Sequence, residues 1–281
     1  MKKNFLFYLI LLSQYHLSQV IESTVDMVID SEKVTIRQRF SPPKGYSWIQ
    51  EKPGSFGAFL TDFPLHPAGL PVRNYKGEPL ANQNHHADLL SISVGDKDLQ
   101  QCADAWIRLY SEYLWLNKKT EELVFHFTSG QPFSWKDFRN GVRPKEIKKK
   151  VHFVRSAIPD SSYENFQNYL EVVFRYAGTI SLDRESVVIK ENGAVKSGDF
   201  ILQPGSPGHL VIIVGAARNV SGKKVYLLAE SFMPAQDIHI LVNPQNRTIS
   251  PWYELDVNAP RTRTAKYIFT KASIKRFQTL R

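Results

Sequence analysis

Between Leu99 and Leu116 the apolar residues Leu99, Cys102, Trp106, Leu109, Tyr113 and Leu116 return at spacings of three and four. That period lays one apolar stripe along a helix, and such a stripe needs a partner surface to cover it. Asp98, with Gln101 three positions on, has the form of a capping box, which starts the helix at Leu99 and puts Cys102 in its first turn. The partner surface comes later in the chain. Asp199–Leu202, His209–Ala216, Lys224–Phe232 and Asp237–Val242 are short apolar runs separated by turn residues, each of strand length. A second helix is expected over Ser161–Tyr176, ended by Gly178, and earlier strands over Lys33–Phe40 and Glu122–Thr128. Helices gathered ahead of a block of strands predict an α+β fold with an antiparallel sheet.

The seven prolines from Pro42 to Pro79 oppose helix across a long stretch, so that region is expected to be irregular and held to the core by Tyr46, Trp48, Phe56, Phe59 and Phe63. No internal repeat or low-complexity tract stands out. With 42% apolar residues and one cysteine in 281 positions, the chain is neither disordered nor stapled by internal disulfides. Lys2 and Lys3 followed by the apolar run Phe5–Leu12 have the form of a secretory leader, too short for the roughly 20 residues of a spanning helix. The alternative is an uncleaved anchor or a buried N-terminal helix. Cleavage places the leader at residues 1–18 and export of the rest. The formal charge of +9 then favours an anionic cell-wall or other envelope polymer as partner, and export argues against nucleic acid.

Several chemistries are missing from the sequence: a phosphate-binding glycine loop opening a helix, His-Glu-x-x-His, paired cysteines for zinc, and Gly-x-Ser-x-Gly. His85, His86 and Asp88 are too few to define a metal site, and within the basic segment Arg143–Lys150 the run Lys148–Lys150 reads as a solvated face. No metal or cofactor is expected. What remains is Cys102, His209 and Glu230. A cysteine at a helix N-terminus faces free amides and the positive end of the helix dipole, which favour thiolate. His209 follows the Gly205-Ser206-Pro207-Gly208 turn, at the start of a strand. With Arg218 opposite Lys223 in the hairpin, His209 falls opposite Phe232 and diagonal to Glu230, on one face. That is a nucleophile, a base and its orienter. The structural alternative is a buried, inert Cys102 on the apolar stripe.

Two resemblances follow from these residues. Gly95 to Ala105 around Cys102, Tyr176 to Leu182, Pro207-Gly208-His209, Met233 to His239 and Ser250 to Tyr253 resemble a family of bacterial secreted proteins defined only as a domain of unknown function. More remotely, Cys102, Gly198-Asp199, His209 and Glu230, in that order, resemble papain-like cysteine hydrolases of the cell-wall amidase and CHAP type. The second resemblance implies a papain-like fold at 95–281 behind a packed Pro-rich region at 19–94. It also implies an exported hydrolase cutting an amide bond in peptidoglycan or a peptide. The Cys102 amide, with the Gln100 or Gln101 side chain, would hold the oxyanion. The alternative from another class is a catalytically silent envelope-binding module.

Overall fold

The computed structural model describes residues 34–270 and 272–280. The expected leader lies outside the described residues. The long helix spans Cys102–Leu116, three residues later at its start than the Asp98 pattern predicts. The reason is a competing cap: the Gln101 N–H donates to Asp104 Oδ2 at 3.1 Å, closing the helix start one turn further on. Asp98 turns away, accepting from the Gln101 side chain at 3.0 Å and from the Ala235 N–H at 2.7 Å.

The architecture is mixed α+β around one large antiparallel sheet. Its strands run in the order His86–Leu89, His239–Leu241, Lys224–Glu230, His209–Asn219, Phe200–Gln203, Ser273–Phe277 and Ser186–Val188. Tyr46–Trp48 pairs with the far half of His209–Asn219, and Trp252–Tyr253 with Lys224–Glu230. The central strand is covered on both faces, which is why it reads as an unbroken apolar run rather than an alternation. Leu210, Ile212 and Val214 join the core that holds Trp106 and Phe166. Val211 and Ile213 join a second core with Tyr226, Leu228 and Phe269. Each such fully buried side chain contributes about 1.5–3 kcal/mol.

The Pro-rich region is built into this core, giving the sheet Tyr46–Trp48 and His86–Leu89 and adding the short helix Phe56–Thr61. Phe56 meets Trp106 at 5.9 Å and Tyr110 at 5.3 Å between ring centroids. The expected strand at Lys33–Phe40 is instead a helical turn, Ile36–Arg39. Ile36 and Phe40 stand four apart and both are fully buried, so the helical period overrides the local alternation. That turn swings Arg39 inward to Asp88 at 2.6 Å. The Glu122–Thr128 expectation contracts to a strand at Val124–His126. The basic segment supplies most of the first arm and the Lys148–Lys149 turn of the hairpin Val142–Ile147 with Lys150–Arg155. The second helix runs Tyr163–Tyr176, capped by the Ser162 hydroxyl accepting from the Asn165 N–H at 3.1 Å.

The hairpin that carries the site departs from its expected register and then returns to it. Arg218 pairs with Lys224, not Lys223, because the connection is a three-residue loop with Gly222 at φ +85°. A β-bulge between Leu227 and Leu228 then absorbs one residue, Val214, so that Ile212 pairs with Ala229. His209 therefore comes against Phe232, ring centroids 4.8 Å apart.

Candidate active site

The turn into His209 is fixed by Gly208. A Cβ there would lie 2.4 Å from Thr179 Oγ1 and 2.7 Å from the Gly205 carbonyl, so only glycine fits. His209 opens its strand opposite Gln203. Its side chain is 2% exposed, with Nε2 2.9 Å from Glu230 Oε2. Phe232, Tyr267 and Phe269 surround the ring, at centroid distances of 4.8, 4.5 and 5.6 Å. Gly198-Asp199 lies just before the neighbouring strand, where Asp199 binds Arg276 at 2.7 and 2.8 Å.

Glu230 is wholly buried and pairs across the sheet with His239, which is buried as well. His239 Nδ1 lies 2.8 Å from the Asp237 carbonyl, so Nδ1 carries the hydrogen and donates it. Its Nε2 is 3.8 Å from Glu230 Oε1, and neither atom has another partner. Burial pushes the His239 imidazole down to about 4. Lys266 stands 5.3 Å over the Phe232 ring and is held below the ordinary lysine value by burial, with Glu230 pulling the other way.

Cys102 is the first residue of its helix and is 8% exposed. The backbone N–H groups of Leu210 and Ala103 lie near its sulfur and favour thiolate. Burial outweighs them, and with a further push from Asp104 the thiol rises to about 11, opposite to the direction expected from the helix dipole. Asp104 is itself raised by burial to about 8, and its Oδ1 has no partner. Around neutral pH the Asp104 carboxyl therefore holds its proton and adds little negative charge beside the sulfur.

A pocket of about 420 Å³ opens over Cys102, walled by Gln101, Asp104, Arg175, Thr179, Met233 and the Gly205–Gly208 turn. Of the two candidate oxyanion glutamines, Gln101 shares this pocket, its side chain donating to Asp98. Gln100 is 1% exposed and lines a separate cavity of about 240 Å³. Its Oε1 accepts from Arg108 at 3.1 Å, and its Nε2 has no partner. Asp88 is bound by Arg39, and the described residues hold no group of three or more His, Cys, Asp or Glu able to take a metal. Nor is any described helix long and apolar enough to cross a membrane.

His239, Lys266 and Tyr267 are the site neighbours that sequence reasoning passed over. His239 had a signal, since Asp237–Val242 reads as a strand following Glu230 in a hairpin. Lys266 and Tyr267 had none, because a distant turn between Thr262–Arg263 and Ile268–Phe269 delivers them. A family model described as Domain of unknown function (4846) matches residues 36–276. No curated protein and no solved structure matches the chain.

Proposed function

The chain belongs to the family described as Domain of unknown function (4846), and from its site we propose that it is an exported cysteine hydrolase of papain-like organisation, cutting an amide bond in peptidoglycan or a peptide. One observation carries this reading. His209, buried and held by Glu230 at 2.9 Å, opens the strand whose next residue, Leu210, has its N–H near enough to the Cys102 sulfur to favour thiolate.

Glu230 takes Nε2 of His209, which leaves Nδ1 as the nitrogen for the thiol. With its value at about 11, Cys102 rests as a thiol, so His209 acts as general base during attack rather than as partner of a standing thiolate. Sulfur attacks the carbonyl carbon as His209 takes the thiol proton. The oxyanion falls to the Cys102 N–H, with Gln101 the better placed of the two glutamines. The leaving amine takes the proton back from His209, and water, deprotonated by the same ring, attacks the thioester; the C–S bond breaks and His209 returns that proton to the departing sulfur, restoring the thiol. Arg175 is the one cation among the residues lining the pocket and is balanced there by Asp98.

The second reading, a silent envelope-binding module using the same pocket, is favoured by the burial and raised value of Cys102. Iodoacetamide labelling against pH separates the two. The hydrolase should label at neutral pH, and His209→Ala should slow that labelling tenfold or more, the low end of general-base contributions of about 10²–10⁴ being softened by a small reagent. A rate that climbs only toward pH 11 and ignores His209→Ala leaves the binding module.

A further inference from the structure

The hairpin Val142–Ile147 with Lys150–Arg155 carries six Lys or Arg against one Glu, so five of the nine net positive charges of the chain sit in residues 142–155. Its two arginines hold it to the body. Arg143 donates to the Phe138 carbonyl at 2.6 Å with its guanidinium 3.6 Å over the Phe138 ring, and Arg155 donates to the Asn140 carbonyl at 2.8 Å. The lysines do no such work: Lys145, Lys148, Lys149 and Lys150 are all exposed, and none has a side-chain hydrogen bond or ion pair among the described residues.

Cross-strand partners share a face of a hairpin. Pro144–Phe153 and Glu146–Val151 take the face toward the body, where Phe153 stacks on Phe133 at 5.3 Å and Val151 packs against the main core. Lys145–His152 and Ile147–Lys150 take the other face, and all four side chains are exposed, Ile147 at 43%. Glu146, the one carboxylate of the hairpin, thus lies on the side away from the lysines. The two residues that close the hairpin, Lys148 and Lys149, both have positive φ, 51° and 60°. Asn-Gly is the favoured pair for such a turn, and a lysine there carries strain. Strain kept at a tip that packs on nothing points to side chains used outside the fold.

We infer that this hairpin tip docks the protein on a bilayer of anionic lipid, with Lys145, Lys148, Lys149 and Lys150 on the head groups and Ile147 entering the interface between them. Charge alone suits any polyanion, and two features select lipid. Ile147 is an apolar side chain exposed among lysines, and the edge of a bilayer rewards its burial where a hydrated polymer offers it nothing. No Phe, Tyr or Trp stands on the outer face, so there is no ring to stack on bases. Lysine suits the lipid interface as well, since its alkyl stem can lie against apolar chains while the ammonium stays in the head-group layer. The docking surface is independent of the chemistry at Cys102, and the hydrolase reading stands or falls without it.

The test is co-sedimentation of the full chain with vesicles of phosphatidylcholine alone and of phosphatidylcholine containing about one-third phosphatidylglycerol. A lysine near an anionic surface is worth a factor of about five, so wild type should prefer the anionic vesicles by roughly a hundredfold or more, and the preference should fade as salt is added. The apolar run Phe5–Leu12 is the same in every variant, and the phosphatidylcholine arm accounts for it. Lys145→Gln, Lys148→Gln, Lys149→Gln and Lys150→Gln together should abolish the preference. Lys148→Asn with Lys149→Gly supplies the favoured turn, so it should raise the melting temperature while weakening anionic binding about 25-fold, a pair of changes that misfolding cannot produce. Ile147→Ser should weaken vesicle binding about tenfold and leave binding to soluble polyglutamate as in wild type. Equal affinity of wild type for the two vesicles overturns the inference, as does a preference that survives loss of the lysines. A preference that needs the lysines but ignores Ile147→Ser also overturns it, leaving a soluble polyanion as the partner.

Discussion

Asp199 and Glu230 are both buried in the same sheet, at 1% and 0% exposure, yet the protein treats the two carboxylates in opposite ways. Asp199 meets a guanidinium fork: Arg276 Nε reaches Oδ1 at 2.7 Å, Nη2 reaches Oδ2 at 2.8 Å, and the Lys196 N–H adds a third bond at 2.9 Å. An arginine cannot give up its proton, so that pair has a single state. Glu230 meets two imidazoles, His209 at 2.9 Å on Oε2 and His239 at 3.8 Å from Oε1, and keeps Oε1 unpaired. The difference separates a carboxylate with both oxygens tied down from one that keeps an oxygen open.

Removing one carboxylate at a time should expose that contrast. Asp199→Ala leaves Arg276 without its counter-ion, and urea unfolding should show a loss of about 3–5 kcal/mol. In the protein that remains folded, the labelling profile of Cys102 should stay as in wild type. A loss below about 1 kcal/mol would mean that water relieves Arg276 and that the two carboxylates differ less than their contacts suggest.

Asp104 is the intermediate case, with Oδ2 bonded to the helix cap and Oδ1 bare. Its folded value of about 8 lies above the ordinary 3.8, so the folded state keeps a proton that the unfolded chain releases. Stability from this group is complete below about pH 4, falls as pH rises to about 8, and is flat beyond, for a total on the order of a few kcal/mol. Asp104→Asn keeps an oxygen for the Gln101 N–H and should flatten that slope in thermal unfolding at pH 5 to 8. An unchanged slope would place the titration elsewhere.

Gly208→Ala tests the turn that aims His209. The added methyl has backbone and hydroxyl oxygens within 3.0 Å, so a cost of about 1–3 kcal/mol and a drop in labelling should appear together. A stability loss with unaltered labelling would separate the turn from the base it carries. The smallest effect on stability belongs to Glu230→Gln, which keeps shape and one acceptor for His209. Unfolding should change by less than about 1 kcal/mol, while labelling slows, though less than in His209→Ala. A large stability loss here would make Glu230 a second Asp199.

Much of this arrangement is legible in the chain because it is local or periodic. The Cys102 stripe gives a helix, the apolar runs give strands, and the two-residue side-chain period puts His209 and Glu230 on one face. The helix start is misread because two acidic residues, Asp98 and Asp104, compete to cap it, and only the packing of Ala235 against Asp98 decides between them. The Lys33–Phe40 strand fails because burial of Ile36 and Phe40 favours a turn of helix. The direction of the Cys102 shift is misjudged for a related reason. Helix amides can be inferred from position, but the depth of a sulfur beneath a loop from elsewhere in the chain cannot. Lys266 and Tyr267 arrive from more than 30 residues beyond Glu230, with no sequence spacing to announce them.

The bulge at Val214 has a consequence for how the chain tolerates changes in length. Loss of Val214 itself would join Gly215 to Ile213 opposite Leu227 and Leu228, the pairings already present, so His209 would keep its place against Phe232 at a cost only in packing. Loss of one residue between the bulge and the histidine, such as Val211, would reverse the parity of everything before it and turn the imidazole to the opposite face. A single-codon deletion two positions from His209 would thus abolish the site while sparing each of its residues, whereas the hairpin loop beyond the bulge is free to lengthen or shorten. Length is constrained on one side of Val214 and slack on the other.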